Sequence, residues 1–270
     1  MKKLWLAACT AILGAALLVA GCGNSSSGSS GDKVLKVGAT AVPHAEILQQ
    51  VKPILAKEGI KLDIVEFSDY VQPNQALADK DLDANFFQHK PYLDEFNKTH
   101  GTDLVIAGKV HIEPMGIYSK SIKNIKDVPN GAKVAIPNDP TNGGRALLLL
   151  QKAGLITLKP GTGTNATKAD IASNPKNLQI IELDAPQLPR SLDDAALAII
   201  NTNYALQAGL NPTKDALVIE DKSSPYANVV VVRNGEQNNP EIKKLIEALN
   251  SPQIKQFIEE HYKGAIVPAF

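Results

Sequence analysis

The hydrophobic positions of this chain fall into short runs rich in β-branched residues, and more polar stretches of helical pattern separate them. The runs at 34–39, 62–67 and 82–87 predict strands. The stretches at 43–57 and 74–78 predict helices. Strands that alternate with helices are typical of a largely parallel sheet flanked by helices. The N-terminal part of the fold is therefore predicted to be an α/β unit.

The pattern starts again after residue 115. A helix is predicted at 146–152, and 241–262 has the pattern of two amphipathic helices interrupted at Ser251-Pro252. Two α/β units of about 100 residues each predict two lobes, each a sheet flanked by helices, with a cleft between them. The strands predicted in this second part lie at 116–119, 133–137, 178–183, 196–200 and 228–233.

The N-terminus has the pattern of an export signal. Two lysines precede the apolar run 4–20, and small residues lead to Cys22. The run is nearly long enough to span a bilayer, so an uncleaved anchor helix is the alternative. The sequence LVAGC at 18–22 resembles a bacterial lipoprotein signal, which is cleaved before a cysteine that is then lipid-modified. We therefore expect residues 1–21 to be removed and Cys22 to carry acyl chains such as palmitate.

The cysteines and the residues after them agree with this interpretation. Cys9 lies in the segment to be removed, so the mature chain has a single cysteine and cannot form an intrachain disulfide. More than one acyl chain would hold Cys22 firmly at a membrane face, where a single chain binds only weakly. Residues 22–32 would comprise the lipidated cysteine and a flexible Gly/Ser tether, so the folded part begins at Lys33.

Composition and charge exclude other classes of protein. The 44% of hydrophobic and 21% of charged residues are typical of an ordinary globular protein. The 28 basic and 28 acidic side chains balance, but residues 1–21 contain two lysines and no acidic residue. The mature chain therefore has 26 basic against 28 acidic side chains, a net charge of −2, which argues against nucleic-acid binding.

The sequence lacks the common patterns of catalytic and metal sites. Its five histidines show no metal-binding spacing. There is no Walker loop, no G-x-G-x-x-G and no G-x-S-x-G. We therefore expect neither an enzyme nor a bound metal ion or cofactor.

The segment 137–145, PNDPTNGGR, joins a predicted strand to a predicted helix. The free amides of a helix start favour an anion, and Gly143 and Gly144 would let a ligand approach the backbone closely. Arg145 adds a planar, bidentate partner for a carboxylate. The alternative is that Arg145 pairs with an acidic side chain at the protein surface.

Other polar and aromatic side chains follow predicted strands, where ligands of open α/β sheets bind. Tyr70 and Asn201 each come just after such a strand. Phe86 and Phe87 project to opposite sides of an extended chain beside His89, so one is expected in the core while the other can face a cleft. The alternatives are that Asn201 caps a helix, and that Phe86 and Phe87 are both core residues beside a surface histidine.

Long stretches of the chain together resemble the NlpA/MetQ family of substrate-binding lipoproteins, which serve methionine ABC importers. The runs PNDPTN-x-GR at 137–145 and APQLPRSLDDA at 185–195 carry the resemblance most specifically. The matching segments spread over the whole mature domain, and further ones lie at 67–70, 83–92, 200–205 and 220–228.

The resemblance implies a type II periplasmic-binding-protein fold, in which two α/β lobes are joined by two crossovers and the ligand lies in the cleft. Lobe 1 would comprise residues 33–118 plus 227–270, and lobe 2 residues 119–226. The hinge strands would lie near 116–118 and 228–232. Closure of the lobes over the ligand would be a hinge motion.

The resemblance also assigns ligand-binding roles to seven residues. Arg145 would bind the ligand carboxylate, with Asn142 beside it. Asn201 and Asn228 would hydrogen-bond the amino-acid head group, although capping is again the alternative for Asn228. The thioether would pack against aromatic faces, a favourable contact for a polarizable sulfur. The residues of this thioether pocket would be Tyr70, Phe87 and His89.

The function implied by the family is capture of L-methionine and its delivery to an ABC permease with its ATPase subunits. The protein would be a monomer, lipid-anchored at the extracytoplasmic face of the cell membrane. Two alternatives are a binder of a related ligand (D-methionine, methionine sulfoxide or a methionine-containing dipeptide) and a surface adhesin or scaffold lipoprotein without a transport role. The run 189–194 either caps a helix near Asp193 and Asp194 or helps to dock on the transporter.

Overall fold

The computed structural model describes residues 33–221 and 225–270. The predicted export signal, Cys22 and the tether lie outside the described residues. Among the helices that are described, none is long and apolar enough to cross a membrane. In chain order the strands are β1 (Lys33–Thr40), β2 (Ile60–Phe67), β3 (Ala84–His89), β4 (Val105–Ile112), β5 (Gly116–Tyr118), β6 (Lys133–Pro137), β7 (Thr157–Leu158), β8 (Ile171–Ser173), β9 (Gln179–Leu183), β10 (Leu197–Ile200), β11 (Val218–Ile219), β12 (Ala227–Val232) and β13 (Val267–Pro268). The α-helices are α1 (Glu46–Ala56), α2 (Gln72–Ala78), α3 (Lys90–His100), α4 (Pro140–Lys152), α5 (Leu188–Ser191), α6 (Thr202–Gln207), α7 (Pro212–Asp215), α8 (Pro240–Leu249) and α9 (Pro252–Tyr262).

The first sheet has six strands in the order β13–β4–β12–β3–β1–β2. β1 is parallel to β2 and β3, whereas β12 is antiparallel to β3 and β4. Successive side chains of a strand point to opposite faces. Accordingly, Val230 and Val232 pack in the core formed with α1, α8 and α9, whereas Val229 and Val231 pack with leucines of α2 and α3. Helices thus cover both faces of this sheet.

The second sheet has five strands in the order β11–β5–β10–β6–β9. β6 is parallel to β9 and β10, and β5 is antiparallel to β10 and β11. Val134 and Ile136 of β6 pack with α4, whereas Ala135 faces a separate core that contains residues of α5 and α6. The prediction of two α/β units is therefore confirmed.

The chain passes between the two sheets twice, from β4 to β5 and from β11 to β12. Because β5 pairs with β10 and β11, the strand Gly116–Tyr118 belongs to the second sheet, although the predicted boundary after residue 118 assigned it to lobe 1. The rest of the predicted division into lobes stays a prediction.

Several elements differ from the sequence-based prediction, which did not include the short elements α5, α6, α7, β7, β8, β11 and β13. The sequence pattern does not predict α3, which buries only Leu93 and Phe96. It does not predict β4 either. The prediction of a helix cap near Asp193 is wrong, since this residue follows α5 and forms an ion pair with Lys120 at the surface.

Candidate functional site

Polar and aromatic side chains meet where strands of both sheets end. β1, β2 and β3 run parallel, so their carboxyl ends lie at one edge of the first sheet, and the parallel strands β6 and β10 end together in the second. Ligands of open α/β sheets bind outside these ends. The cavity at this place is lined by Tyr70, Phe87, Gln88, His89, Tyr92, Glu113, Asn142, Arg145, Asn201, Thr202, Asn203 and Asn228.

All seven residues predicted to bind the ligand belong to this lining, and their roles toward a ligand stay predictions. Glu113 is the first residue after β4, and Asn203 follows Asn201 at the end of β10. The strand-end rule that led to Asn201 would have led to Glu113 if β4 had been predicted. The lining residues beyond these seven are Gln88, Tyr92, Glu113, Thr202 and Asn203.

Arg145 is held by an acidic partner within the protein. Its Nε and Nη2 donate to the two carboxylate oxygens of Glu220 at 2.7 and 2.5 Å, and Nη2 also donates to the backbone carbonyl of Glu113 at 2.7 Å. Its Cζ lies 4.2 Å from the ring centroid of Tyr226, a cation–π contact. Nη1 donates to no residue in the described part of the chain. The alternative pairing with an acid therefore holds, although Glu220 is nearly buried rather than at the surface.

The start of α4 is occupied by a side chain of the protein itself. The Asp139 carboxylate accepts from the amide of Asn142 at 2.9 Å, where an anionic ligand was predicted. The prediction that the two glycines let a ligand approach the backbone is wrong. A Cβ on Gly144 would lie 2.3 Å from the carbonyl oxygen of Thr164, and one on Gly143 would lie 3.0 Å from a carbonyl oxygen of β6. Packing of the protein backbone therefore requires both glycines.

A chain of polar side chains connects the first sheet with the second. His89 Nε2 lies 3.1 Å from Asn142 Oδ1, which also accepts from Asn201 Nδ2 at 3.0 Å. Because Asn142 Nδ2 donates to Asp139, its Oδ1 is an acceptor and His89 donates through Nε2. Burial, together with the charge of Arg145, lowers the pKa of His89 to about 3, so its ring is neutral at neutral pH.

Two buried atoms of the lining, Asn201 Oδ1 and Asn203 Nδ2, have no hydrogen-bond partner among residues 33–221 and 225–270. Buried polar groups are nearly always hydrogen-bonded, and an unpaired one costs about 1–3 kcal/mol. Asn201 precedes α6 but makes no capping hydrogen bond with its side chain, so capping does not account for it. The cavity therefore offers one acceptor and one donor that a ligand could satisfy.

Aromatic rings cluster in another part of the lining. The ring centroid of Tyr70 lies 6.0 Å from that of Phe87 and 5.8 Å from that of Tyr92. Tyr70 donates to Asn203 Oδ1 at 2.6 Å, and Tyr92 donates to the Tyr70 carbonyl at 2.9 Å. Burial raises the pKa of both phenols, so they stay neutral. Phe86 lies in the core of the first sheet, on the opposite side of β3 from Phe87, in agreement with strand alternation.

The Glu113 carboxylate contacts two histidines, since its Oε1 lies 2.8 Å from His111 Nε2 and 3.2 Å from His44 Nε2. We call His44, His89 and His111 the buried histidines. Burial lowers the pKa of His44 to about 4 and that of His111 to about 3, and it raises that of Glu113. Two histidines and one glutamate are a known zinc-ligand set, and these three could hold a metal ion. His111 Nε2 hydrogen-bonds to the carboxylate, whereas the hydrogen bond of His44 Nε2 is to Asn228 Oδ1.

Two α/β units, with polar and aromatic side chains meeting between their strand ends, define a bilobal binding protein of the periplasmic-binding-protein class. A comparison with protein families gives a narrower assignment. The chain belongs to the NlpA lipoprotein family, whose model matches residues 35–270.

Relatives within this family match almost the entire chain. It is 47% identical over 263 residues to the D-methionine-binding lipoprotein MetQ of Escherichia coli (strain K12), covering 97% of this chain and 96% of the relative. It is 46% identical over 275 residues to the methionine-binding lipoprotein MetQ of Bacillus subtilis (strain 168), covering 99% of each. A solved structure of a nutrient binding protein from Burkholderia cenocepacia bound to methionine is 54% identical, with a TM-score of 0.85, covering 87% of this chain and 100% of that one. The predicted family is confirmed, and these relatives are binding proteins.

Proposed function

We propose that the protein captures methionine, L-methionine in the first place, and delivers it to an ABC importer. The names of the two MetQ relatives and the methionine in the Burkholderia structure support this ligand. The observation that carries the proposal is the composition of the cavity. It combines a buried arginine, unpaired amide groups and aromatic rings, which match the carboxylate, the ammonium group and the thioether of methionine.

In this proposal Arg145 binds the ligand carboxylate through Nη1. Glu220 and the Glu113 carbonyl already accept from Nε and Nη2, so Nη1 is the nitrogen that remains for a ligand. Hydrogen bonds between ionised partners are stronger than those between neutral groups. Asn142 lies beside this position, held by Asp139 and His89.

The ammonium group of the ligand needs acceptors, and the cavity has two suitable ones. Asn201 Oδ1 is buried without a partner in the described residues, and the Glu113 carboxylate belongs to the same lining. A buried charge is tolerated where it is paired and hydrogen-bonded, so both groups favour a cation at this place. We assign the amino end of methionine to them.

The thioether would pack against Tyr70 and Phe87, with His89 completing this part of the lining. A sulfur beside an aromatic ring gains about 0.3–1.5 kcal/mol. The hydroxyl of Tyr70 donates to the protein, and both protons of the Gln88 amide group are used by two buried asparagines. Because these two donors are committed, a sulfoxide oxygen would receive no hydrogen bond from them, whereas an apolar thioether needs none, which favours methionine over methionine sulfoxide.

Delivery requires that the ligand be enclosed and released. We propose a hinge motion of the lobe built on the first sheet against the lobe built on the second sheet, about the two crossings of the chain. Acylation of Cys22 after removal of residues 1–21 would hold a monomer at the extracytoplasmic membrane face, near an ABC permease with its ATPase subunits.

Mass spectrometry of the small molecules released from the purified protein tests this proposal. Calorimetry then compares L-methionine, D-methionine, methionine sulfoxide and a methionine-containing dipeptide, and we expect L-methionine to bind most tightly. The name of the Escherichia coli relative makes D-methionine the second candidate. If nothing co-purifies and no amino acid or dipeptide stabilises the protein against heat, the transport function is contradicted and an adhesin or scaffold role is favoured.

A further inference from the structure

His44 is a buried polar side chain to which the proposed function gives no role. It lies in the turn Ala41–Ala45 after β1, is 1% exposed and is not part of the cavity lining. Its Nδ1 lies 2.7 Å from Thr40 Oγ1. Its Nε2 lies 3.0 Å from Asn228 Oδ1 and 3.2 Å from Glu113 Oε1. The ring thus connects the end of β1 with two residues that do line the cavity.

These contacts select one tautomer of the ring. A carboxylate oxygen and a carboxamide oxygen are both acceptors, so the Nε2 that contacts them carries the proton. Nδ1 then has a free lone pair and accepts the hydroxyl proton of Thr40. Burial lowers the pKa of His44 to about 4, so the ring does not take up a second proton at neutral pH.

The tautomer of His44 in turn orients the carboxamide of Asn228. Because Asn228 Oδ1 accepts from His44, Asn228 Nδ2 points away from the histidine. This nitrogen donates to no residue in 33–221 or 225–270. Asn228 lies on β12, in register with His89 of β3 and His111 of β4, so the sheet fixes its backbone on both sides. A carboxamide held in this way offers the cavity a donor and not an acceptor.

We propose that Thr40 and His44 are positioning residues, which hold the Asn228 amide group toward the cavity so that it donates to the carboxylate of a bound amino acid. This inference rests on the proposed function, in which the cavity takes an amino-acid zwitterion. Without the Nε2 proton of His44 the carboxamide could rotate and present its oxygen to the ligand carboxylate, which replaces an attraction by a repulsion. His44 therefore acts on affinity without touching the ligand.

Calorimetry on full-length variants in detergent tests the inference. His44→Leu removes the donor, whereas His44→Gln keeps an amide donor on a side chain of similar reach. We expect His44→Leu to weaken L-methionine binding about ten- to hundredfold, and His44→Gln to recover most of that loss. Equal affinities of the two variants would overturn the inference. His100→Leu, at an exposed position of α3, is the control for loss of a histidine.

A double-mutant cycle separates positioning from a general effect on the fold. In an Asn228→Ala background, His44→Leu should cause no further loss of affinity, because no carboxamide is left to orient. L-methioninol, which has no carboxylate, should bind the wild type and His44→Leu with similar affinity. Independent, multiplicative losses in the double variant, or an equal loss for methioninol, would overturn the inference.

A measurement without ligand distinguishes failure of this inference from failure of the proposed function. Long-range proton–nitrogen NMR of histidine-labelled protein reports which ring nitrogen carries the proton, and the His44 signals are identified by their absence in His44→Gln. We expect the Nε2–H tautomer. An Nδ1–H tautomer would overturn the inference even if methionine binds, whereas Nε2–H in a protein that does not bind methionine would contradict the proposed function alone.

Discussion

Arg145→Ala removes the cation that both Glu220 and the proposed ligand carboxylate require. The side chains of Arg145 and Glu220 are only 3% and 12% exposed. Removing one partner of a buried ion pair costs about 3–5 kcal/mol, because the other charge is left without compensation. In a domain of this size 1 kcal/mol corresponds to about 2–4 °C in Tm. We therefore expect the Tm to fall by about 6–20 °C.

The double variant Arg145→Ala/Glu220→Gln separates stability from binding. It removes the uncompensated carboxylate as well, so most of the lost stability should return. The affinity for methionine should stay low, since loss of a buried charged partner costs about 2–5 kcal/mol of binding, about 30- to several-thousandfold in Kd. Lys152→Ala on the same helix is the matched control, because its ion pair with Asp221 is exposed and should contribute little to either quantity.

Urea denaturation measures the free energy of unfolding of each variant, and calorimetry measures its affinity for methionine. A double variant that is stable and binds methionine like the wild type would refute the assignment of Arg145 to the ligand carboxylate. A double variant no more stable than Arg145→Ala would refute the cost assigned to the unpaired Glu220.

Three further predictions concern acid sensitivity, backbone packing and anchoring. The pKa of each buried histidine lies below the unfolded value of 6.5, so the unfolded chain binds more protons below that pH. The free energy of unfolding should therefore fall as the pH is lowered from about 6.5 towards 4. Each histidine contributes at most about 1.4 kcal/mol per pH unit. The raised pKa of Glu113 has the opposite effect above pH 4.5 and offsets part of this loss. A flat profile in urea denaturation would contradict this. Gly144→Ala should lower the Tm, because its Cβ would collide with the Thr164 carbonyl. A Cβ on Gly163, the residue before Thr164, meets nothing within 4 Å, so Gly163→Ala should melt like the wild type. Cys22→Ser should move the protein from the membrane to the soluble fraction of fractionated cells, and continued sedimentation with membranes would exclude lipidation as the anchor.

The parts of the fold that the sequence predicts are those in which one local signal dominates. β6 is a short apolar run from Val134 to Pro137, which marks a strand covered on both faces. The two C-terminal helices were separable because Ser251 caps the second one and Pro252 begins it. α3 lacks such a signal. Its buried face has two residues, and His89 at its start is not one of the usual capping residues.

The candidate site was predictable to the extent that it follows strand ends. Tyr70, Asn142 and Asn201 come after predicted strands, so the rule for open α/β sheets applied to them. Glu113 follows β4, and the helical and strand patterns did not reveal that element. His111 lies on β4 itself and was overlooked for the same reason. An error in one strand thus removed Glu113 and His111 from the prediction.

No local sequence pattern predicts that Glu220 is the partner of Arg145. Glu220 reaches Arg145 because β11 pairs with β5, and its carboxylate also accepts from the Met115 amide at 3.0 Å. Glu113 and Met115 lie in the first crossing between the sheets, and Glu220 begins the second. Arg145 therefore bonds to both connections about which the lobes are proposed to move. A ligand carboxylate bound at Nη1 would act directly on these connections, so the residue that recognises the ligand would also sense the relative position of the lobes.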